Sequence, residues 1–437
     1  MLKKFQNHLD QNLPFLKESK LLIAISGGVD SIVLAHLCYK LDLNFALAHC
    51  NFNLRGDESD TDQNFVLDWA ESLGLEVFIE HFNTTAYAQD HKISTQMAAR
   101  ELRYKWFDDL MSQLHFDMVL TGHHADDNLE TFLINFIRGT GLDGLTGIPA
   151  INEQVVRPLL PFSRATIEAY ATTHKLSWRE DSSNASTKYL RNKLRHDVVP
   201  ILKDINPQLL QNFNHTITCL QDSKSIVNDR VEAVSDQIIT DVSDFEIRLD
   251  ISKIKQLNQP KAYLFELLKD YGFTEWNDIM HLLDAQSGKQ VLSETHRLIK
   301  DRDYILLSDI NPEQDRGIIT ISDCDDKIKT PIGTLFFEKV TEMVDCGPHV
   351  IYVDCKKLKF PLTLRYKQEG DYFHPLGMKG KKKVSKYFKD EKMSLLEKEQ
   401  TLLLCSGDYI IWVVGKRADA RFKISDKTKI FTKIELK

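Results

Sequence analysis

The chain has 437 residues, of which 42% are hydrophobic, 27% charged and 9% aromatic. That make-up excludes wholesale disorder, collagen and coiled-coil fibres, and at roughly 150 residues per domain the length predicts about three domains. The formal charge of −7 argues against a nucleic-acid binder that is cationic throughout, and leaves room for local basic patches. Apolar runs such as Leu21–Ile25 and Ile410–Val414 are far short of the roughly 20 residues a membrane span needs. No apolar segment follows MLKKFQNHLD, so no secretory signal is expected and a cytoplasmic location is. Seven cysteines contain no CxxC pair, which removes support for zinc ribbons and redox dithiols.

In chain order, Leu21–Ile25 reads as a short strand that meets Ser26-Gly27-Gly28, and Ile32–Leu41 as the helix after it. Phe45–Ala48, Leu75–Ile79 and Met118–Leu120 are further strands, the last ending at Gly122. Between them Phe65, Trp69 and Leu73 have helical spacing, as do Leu129, Phe132, Leu133 and Phe136 later. Strands alternating with amphipathic helices predict an α/β domain with a doubly wound parallel sheet. In such sheets ligands bind beyond the carboxyl ends of the strands, where Ser26–Ser31, His49–Arg55 and Thr121–Asp127 all fall. Residues 206–308 are polar and helix-rich, with Pro200 and Pro207 bracketing a linker. After Asn311-Pro312, β-branched runs at Gly317–Ile321, Thr334–Phe337, Leu362–Tyr366 and Tyr409–Val414 predict a small α+β domain. The expected domains are 1–205, 206–315 and 316–437.

Ser26-Gly27-Gly28-Val29-Asp30-Ser31 follows a strand and opens a helix. Two glycines admit a ligand close to the backbone, and successive N–H groups with two hydroxyls cradle phosphate at a helix N-terminus. Asp30 would repel phosphate unless a Mg²⁺ ion lies between them, so Asp30 is the candidate metal ligand. No Gly-Lys-Ser/Thr follows, so this is not a Walker A loop. His123-His124-Ala125-Asp126-Asp127 precedes Glu130 on a helix starting near Ala125, which sets Asp126 and Asp127 each on a face with Glu130. His123, Asp126 and Asp127 are candidates for catalysis or substrate positioning. A metal phosphoesterase built on the same histidines and aspartates is the competing enzyme reading. Gly139-Thr140-Gly141-Leu142-Asp143-Gly144 matches the dinucleotide GxGxxG only formally, because it follows a helix and not a strand.

Arg100 and Arg103 stand three apart on a helix face and suit phosphate or base edges. Arg191, Lys193 and Arg195 form a basic loop-to-helix segment of the kind that contacts a nucleic-acid backbone. Between Lys379 and Lys392 seven lysines, Lys382, Lys383 and Lys386 among them, face two acids beside Tyr387 and Phe388. Basic residues interleaved with aromatics suit single-stranded RNA. A catalytically silent RNA-binding protein is the non-enzyme reading of that patch.

The hexapeptide resembles the SGGxDS signature of the N-type ATP pyrophosphatases, the PP-loop family with an adenine-nucleotide alpha-hydrolase-like fold. With His49–Arg55, Ala98–Tyr104, Arg157-Pro158-Leu159-Leu160, Trp178–Asn184 and Arg191–Pro200 in this order, residues 20–200 resemble the tRNA(Ile)-lysidine synthetase family. Gly288-Lys289-Gln290-Val291 with its flanking helices resembles that family's substrate-recognition domain. Arg365, Glu369-Gly370-Asp371, Pro375-Leu376-Gly377, Lys383–Phe388 and Trp412–Arg417 match its C-terminal region. The resemblance implies a PP-loop domain, a helical middle domain and a C-terminal tRNA-binding domain. It implies a carbon–nitrogen ligase that uses ATP and Mg²⁺ to convert the wobble cytidine of isoleucine tRNA, anticodon CAU, to lysidine. Free L-lysine is the other implied partner, no membrane is involved, and a homodimer stays open. Within it, Asp126 or Asp127 would take a proton from lysine or hold the cytosine, and Arg100 or Arg103 would stabilise the α-phosphate. Another PP-loop tRNA-modifying enzyme, such as a thiolase, is the alternative within the same fold.

Overall fold

A computed structural model describes residues 1–179, 190–243, 245–310, 317–344, 347, 349–425 and 428–437. The chain forms two compact units, Met1–Asn228 and Asp229–Lys437.

The first unit opens with α1 (Leu2–Asn12) and β1 (Leu21–Ala24), then α2 (Val29–Lys40), β2 (Phe45–Asn51), α3 (Asp57–Leu73), β3 (Val77–His81), α4 (Thr84–Asp90) and α5 (Thr95–Leu114). There follow β4 (Met118–Leu120), α6 (Ala125–Arg138), α7 (Leu142–Leu145), the two-residue strands β5 (Ile151–Asn152) and β6 (Val155–Val156), and α8 (Arg164–Thr173). After α9 (Leu190–Lys193), a single π-helical turn at Leu194–Val198 leads into α10 (Val199–Ile205), and α11 (Leu209–Ile238) crosses into the second unit.

The six strands lie in the order β3-β2-β1-β4-β6-β5, parallel except for β5. Leu21 and Ile23 point to one face, into a core with α1, α2, α3 and α8. Leu22, between them, points to the other with Ala46, Ala48 and Val119, against Phe107 and Met111 of α5. That alternation is the period of two a strand imposes, and it yields the expected doubly wound sheet. Strand β1 has β2 on one side and β4 on the other, so the chain reverses direction of winding between β1 and β4. The loops leaving those two strands therefore face one crevice, the switch point where such sheets bind ligands.

No linker lies at Pro200 and Pro207. Pro200 sits in the first turn of α10, where its missing N–H leaves no bond unmade. The two units divide inside α11, which buries Phe213 and Ile217 against Leu129 in the first unit and Val234 and Ile238 in the second unit's core.

The second unit continues with β7 (Ile239–Val242), β8 (Ile247–Asp250), α12 (Ile251–Gln256), α13 (Pro260–Leu268), α14 (Trp276–Leu282), β9 (Gln290–Leu292), β10 (His296–Asp301) and β11 (Tyr304–Asp309). The helices expected here are present, but so is a five-stranded antiparallel sheet, β7-β8-β11-β10-β9. Its central strands β10 and β11 lack apolar–polar alternation because both their faces are covered. Leu298, Ile305 and Leu307 pack on the helices, whereas Ile299 and Leu306 pack on Leu396.

Then come β12 (Ile319–Ile321), β13 (Lys327–Thr330), β14 (Gly333–Val340), β15 (Val350–Asp354), β16 (Leu362–Tyr366), β17 (Tyr372–Phe373), β18 (Lys382–Lys383), α15 (Val384–Asp390), α16 (Leu395–Gln400), β19 (Leu402–Ser406), β20 (Tyr409–Val413), β21 (Arg417–Ala418) and β22 (Phe431–Leu436). Two sheets, β12-β16-β19-β20-β21 and β13-β14-β22-β15, bury Leu364, Leu404 and Trp412 against Leu335, Val353 and Ile434. Helix α15 covers the outer face of the first. Asn311-Pro312, expected at the start of this region, lies outside the described residues.

Candidate active site

After β1 the chain must turn sharply, and Gly27 does so at φ +86°, a conformation costly for any side chain. Its carbonyl accepts the Arg179 N–H at 2.9 Å. The Ser31 hydroxyl donates to the Gly28 carbonyl at 2.9 Å and accepts the Ser26 N–H at 3.2 Å; Ser26 Oγ accepts the Gly28 N–H at 3.3 Å. The two hydroxyls thus brace a loop that ends on the positive N-terminus of α2. At the end of β4, a β-carbon on Gly122 would lie 3.2 Å from the backbone of Asp30 and Ser31. A side chain there would force these two strand-end loops apart by a few tenths of an ångström.

Asp30 projects from the first turn of α2. One carboxylate oxygen accepts from Arg164, and the other, Oδ1, is buried and accepts no hydrogen bond from the described residues. Burial pushes the carboxyl above its usual range, against the opposing pull of His124 and Arg164. His124 caps α6: its Nδ1 accepts the Asp127 N–H at 3.4 Å while Asp127 Oδ2 accepts the His124 N–H at 3.1 Å. With Nδ1 accepting, the ring hydrogen is on Nε2, 3.6 Å from Asp30 Oδ1 and 3.4 Å from Asp127 Oδ2. One imidazole so joins the glycine loop to the acidic helix.

The three acids of α6 differ. Asp126 accepts the Arg164 N–H at 2.8 Å and a bond from Lys203. Burial raises its pKa, but these two partners outweigh burial and hold it below the usual range. Asp126 therefore ties α8 and α10 to α6, with both oxygens engaged in the fold. Asp127 meets Arg195 at 3.0 Å, and Glu130, only 1% exposed, takes both arms of the Arg195 fork at 2.6 and 3.0 Å. Burial keeps the Glu130 carboxyl above its usual range despite that arginine. His123 bonds Thr121 Oγ1 at 2.9 Å, and burial, reinforced by Arg157, Arg191 and Arg103, depresses it to about 4, so the ring is neutral at physiological pH.

Beside this cluster opens a cleft of about 910 Å³, lined by Ser26, His49–Phe52, Arg55, Asp62, Arg103, Thr131, Ile134, Asn135, Arg138 and Arg191 among others. Arg55 and Arg179 share Asp62 at 2.9 Å each, which sets two cations at the glycine loop. Of the two arginines on α5, Arg103 lines the cleft with its guanidinium over Phe52, whereas Arg100 is exposed and rests on Tyr104. Arg191 bonds Thr131 at 2.6 Å. Arg195 is spent on the acids, and Lys193 is exposed. The segment Glu180–Asn184 lies outside the described residues.

In the second unit Lys383 and Lys386 are exposed, and Lys382 pairs with Asp390 at 2.7 Å. Tyr387 is a correction to the expected stacking residue. It is 2% exposed and meets Phe373 edge-on at 5.1 Å in a core with Phe388, because α15 turns its aromatic face inward and its lysines, with Ser385 and Asp390, outward.

Glu130 joins the site beyond the candidates named above, and its place three residues after Asp127 is the signal for it in the sequence. Arg164 carried none, since only the fold brings it to Asp30 across 134 positions.

Family comparisons match this layout. Residues 1–202 fit the PP-loop domain, 242–310 the TilS substrate binding domain and 362–434 the TilS substrate C-terminal domain. The tRNA(Ile)-lysidine synthase of Parabacteroides distasonis is 40% identical over 435 residues, 98% of both chains. The chain belongs to the tRNA(Ile)-lysidine synthase family. The lysidine synthase of Bacteroides thetaiotaomicron is 38% identical over 97% of this chain and 96% of its own. That of Clostridium acetobutylicum is 29% identical over 100% and 99%. As a PP-loop lysidine synthase family member, the chain uses ATP.

Proposed function

We propose that this chain is an ATP-dependent ligase that turns the wobble cytidine of the CAU-anticodon isoleucine tRNA into lysidine. The cytosine O2 attacks the α-phosphorus of ATP and pyrophosphate leaves. The ε-amine of free lysine then attacks C2 and AMP leaves with the former O2. The observation that supports this most is the His124 imidazole between Asp30 and Asp127, which couples a phosphate loop to an acidic helix in one cluster, as two successive half-reactions at one base require.

The Ser26–Ser31 loop binds the pyrophosphate end through its N–H groups, with Arg55 and Arg179 adding positive charge. The Mg²⁺ expected from the chemistry fits Asp30, whose Oδ1 is buried and takes no hydrogen bond from the described residues. Among the described residues no three His, Cys, Asp or Glu side chains form a metal cage, so phosphate oxygens and water would complete the shell, as Mg²⁺ prefers. Bound there, the ion would neutralise charge on the departing pyrophosphate. Arg103, facing the cleft, is assigned to the α-phosphate. Asp127 is assigned to the lysine amine, which must lose a proton to attack; Asp126 is tied to Lys203 and Arg164, and neutral His123 is a second acceptor nearby. Nothing in this scheme needs a second copy of the chain. A thiolase chemistry is disfavoured by the cleft's Cys50, whose thiol burial pushes up to about 12, far from a reactive thiolate.

The deciding experiment incubates the full chain with labelled lysine, ATP, Mg²⁺ and isoleucine tRNA, beside Asp30→Ala. Label in tRNA that requires ATP and vanishes in the variant supports the reading. Pyrophosphate release without lysine transfer would hand the second step to another nucleophile.

A further inference from the structure

The formal GxGxxG segment has no dinucleotide to bind, yet its surroundings are built. Helix α6 ends in Phe136-Ile137-Arg138, and Phe136 and Ile137 are 64% and 58% exposed. These are costly positions for large apolar groups at the lip of a cleft whose wall includes Ile134, Asn135 and Arg138. The Phe136 ring lies parallel to Phe132, 3° between planes, and Phe132 is held edge-on by Phe213 at 5.4 Å. One face of Phe136 is thereby given a fixed orientation.

The loop beyond is pinned on its far side only. Asn135 Nδ2 donates to the Gly144 carbonyl at 2.9 Å, and Asn128 Oδ1 accepts the Ile148 N–H at 2.6 Å. Gly147, at φ +73°, has no room for a β-carbon, which would fall 2.3 Å from Asn128. At Gly139 and Gly141, by contrast, no described residue lies within 4 Å of where a β-carbon would be, so a partner can approach the chain closely there, although the Gly139 N–H itself is donated to the Phe136 carbonyl at 3.2 Å. An oriented aromatic face, an arginine and a closely approachable stretch of chain are what single-stranded RNA requires: stacking, a phosphate contact and room for the sugar–phosphate backbone.

We propose that Phe136–Gly141 is a ledge on which a nucleotide adjoining the wobble base stacks while that base occupies the cleft, with Arg138 on its phosphate. The ledge rests on the proposed reaction for the identity of the RNA and is tested apart from it by binding alone. In fluorescence anisotropy at fixed salt, Phe136→Ala weakens isoleucine tRNA binding about 5- to 150-fold, the loss of one stacked base. Phe136→Tyr restores affinity, and Phe136→Leu, apolar without a ring, does not. The KM for ATP stays within about twofold. A tRNA with an abasic site beside the wobble position loses affinity for the native chain but not for Phe136→Ala. Unchanged tRNA affinity in Phe136→Ala overturns the proposal. So does a changed sedimentation coefficient with unchanged tRNA affinity, which would make this lip a contact between copies of the chain. If the native chain binds tRNA through Phe136 yet transfers no lysine, the ledge stands and the proposed reaction falls.

Discussion

Asp30 combines a buried carboxylate with an oxygen unmet among the described residues, a cost to the fold that its proposed place at the phosphate site explains. Asp30→Asn should abolish ATP-dependent AMP release by at least about 100-fold while leaving the melting temperature unchanged or higher, because Arg164 is exposed enough to turn to water. Calorimetry and AMP release on the same preparation check both halves. Arg195→Ala should behave oppositely. It takes the bidentate partner from Glu130, which keeps the Arg191 guanidinium at 3.6 Å, and the arginine from Asp127, and should destabilise the first unit by about 3 kcal/mol, the lower end for breaking a buried pair because Arg195 is partly exposed; urea unfolding reads this. Two histidines, His36 and His123, are held neutral to about 4. An unfolded histidine takes its proton near 6.5, so the stability their neutrality confers is intact above that pH and falls as pH drops toward 4, by up to about 1.4 kcal/mol per pH unit for each. Asp30 and Glu130, raised, act in the opposite sense, so the comparison that isolates the effect is His36→Gln against the native chain at pH 7, 6 and 5; the variant should lose less stability on acidification. Much of this site was legible beforehand. The phosphate loop declares itself by local order, strand then Ser-Gly-Gly then helix, and the acids by helical spacing. What could not be read was which of two adjacent aspartates is bound into the fold, since Lys203 and the Arg164 amide reach Asp126 only after tertiary packing.

At the scale of elements, the contact between the start of α2 and the end of β4 sets the geometry of the crevice. Gly122→Ala puts a methyl group against Asp30 and Ser31 and should cost about 1–3 kcal/mol while raising the KM for ATP; thermal melts with and without ATP separate the two effects. The parallel sheet was readable because its strands are apolar runs, two of which, β1 and β4, lead straight into glycine loops. The sheet of the middle region was hidden by its own burial, as strands covered on both faces lose the alternation that marks them. Helix α15 deceived in another way: composition places lysines beside Tyr387 and Phe388, but helical geometry sends the two kinds of side chain in opposite directions.

For the molecule as a whole, a net charge of −7 must still accommodate a polyanion, so cationic groups work locally. Lys383→Glu with Lys386→Glu should weaken tRNA binding and flatten its dependence on salt, lowering the log–log slope by about 0.7–0.9 for each phosphate no longer neutralised, as an anisotropy titration between 50 and 200 mM salt would read. Tyr387→Phe should leave it untouched. The central position of β1 has one more result. Leu21 pairs with Phe45 on one side and Met118 on the other, and the Lys20 N–H reaches Asp117 at 2.7 Å. A nascent chain that has emerged only past Ser31 therefore carries the whole nucleotide signature and none of the neighbours that complete the site. Not until Gly122 and then Arg164 leave the ribosome does Asp30 acquire its neighbours, so during synthesis ATP capture comes late and reports that the first unit has closed.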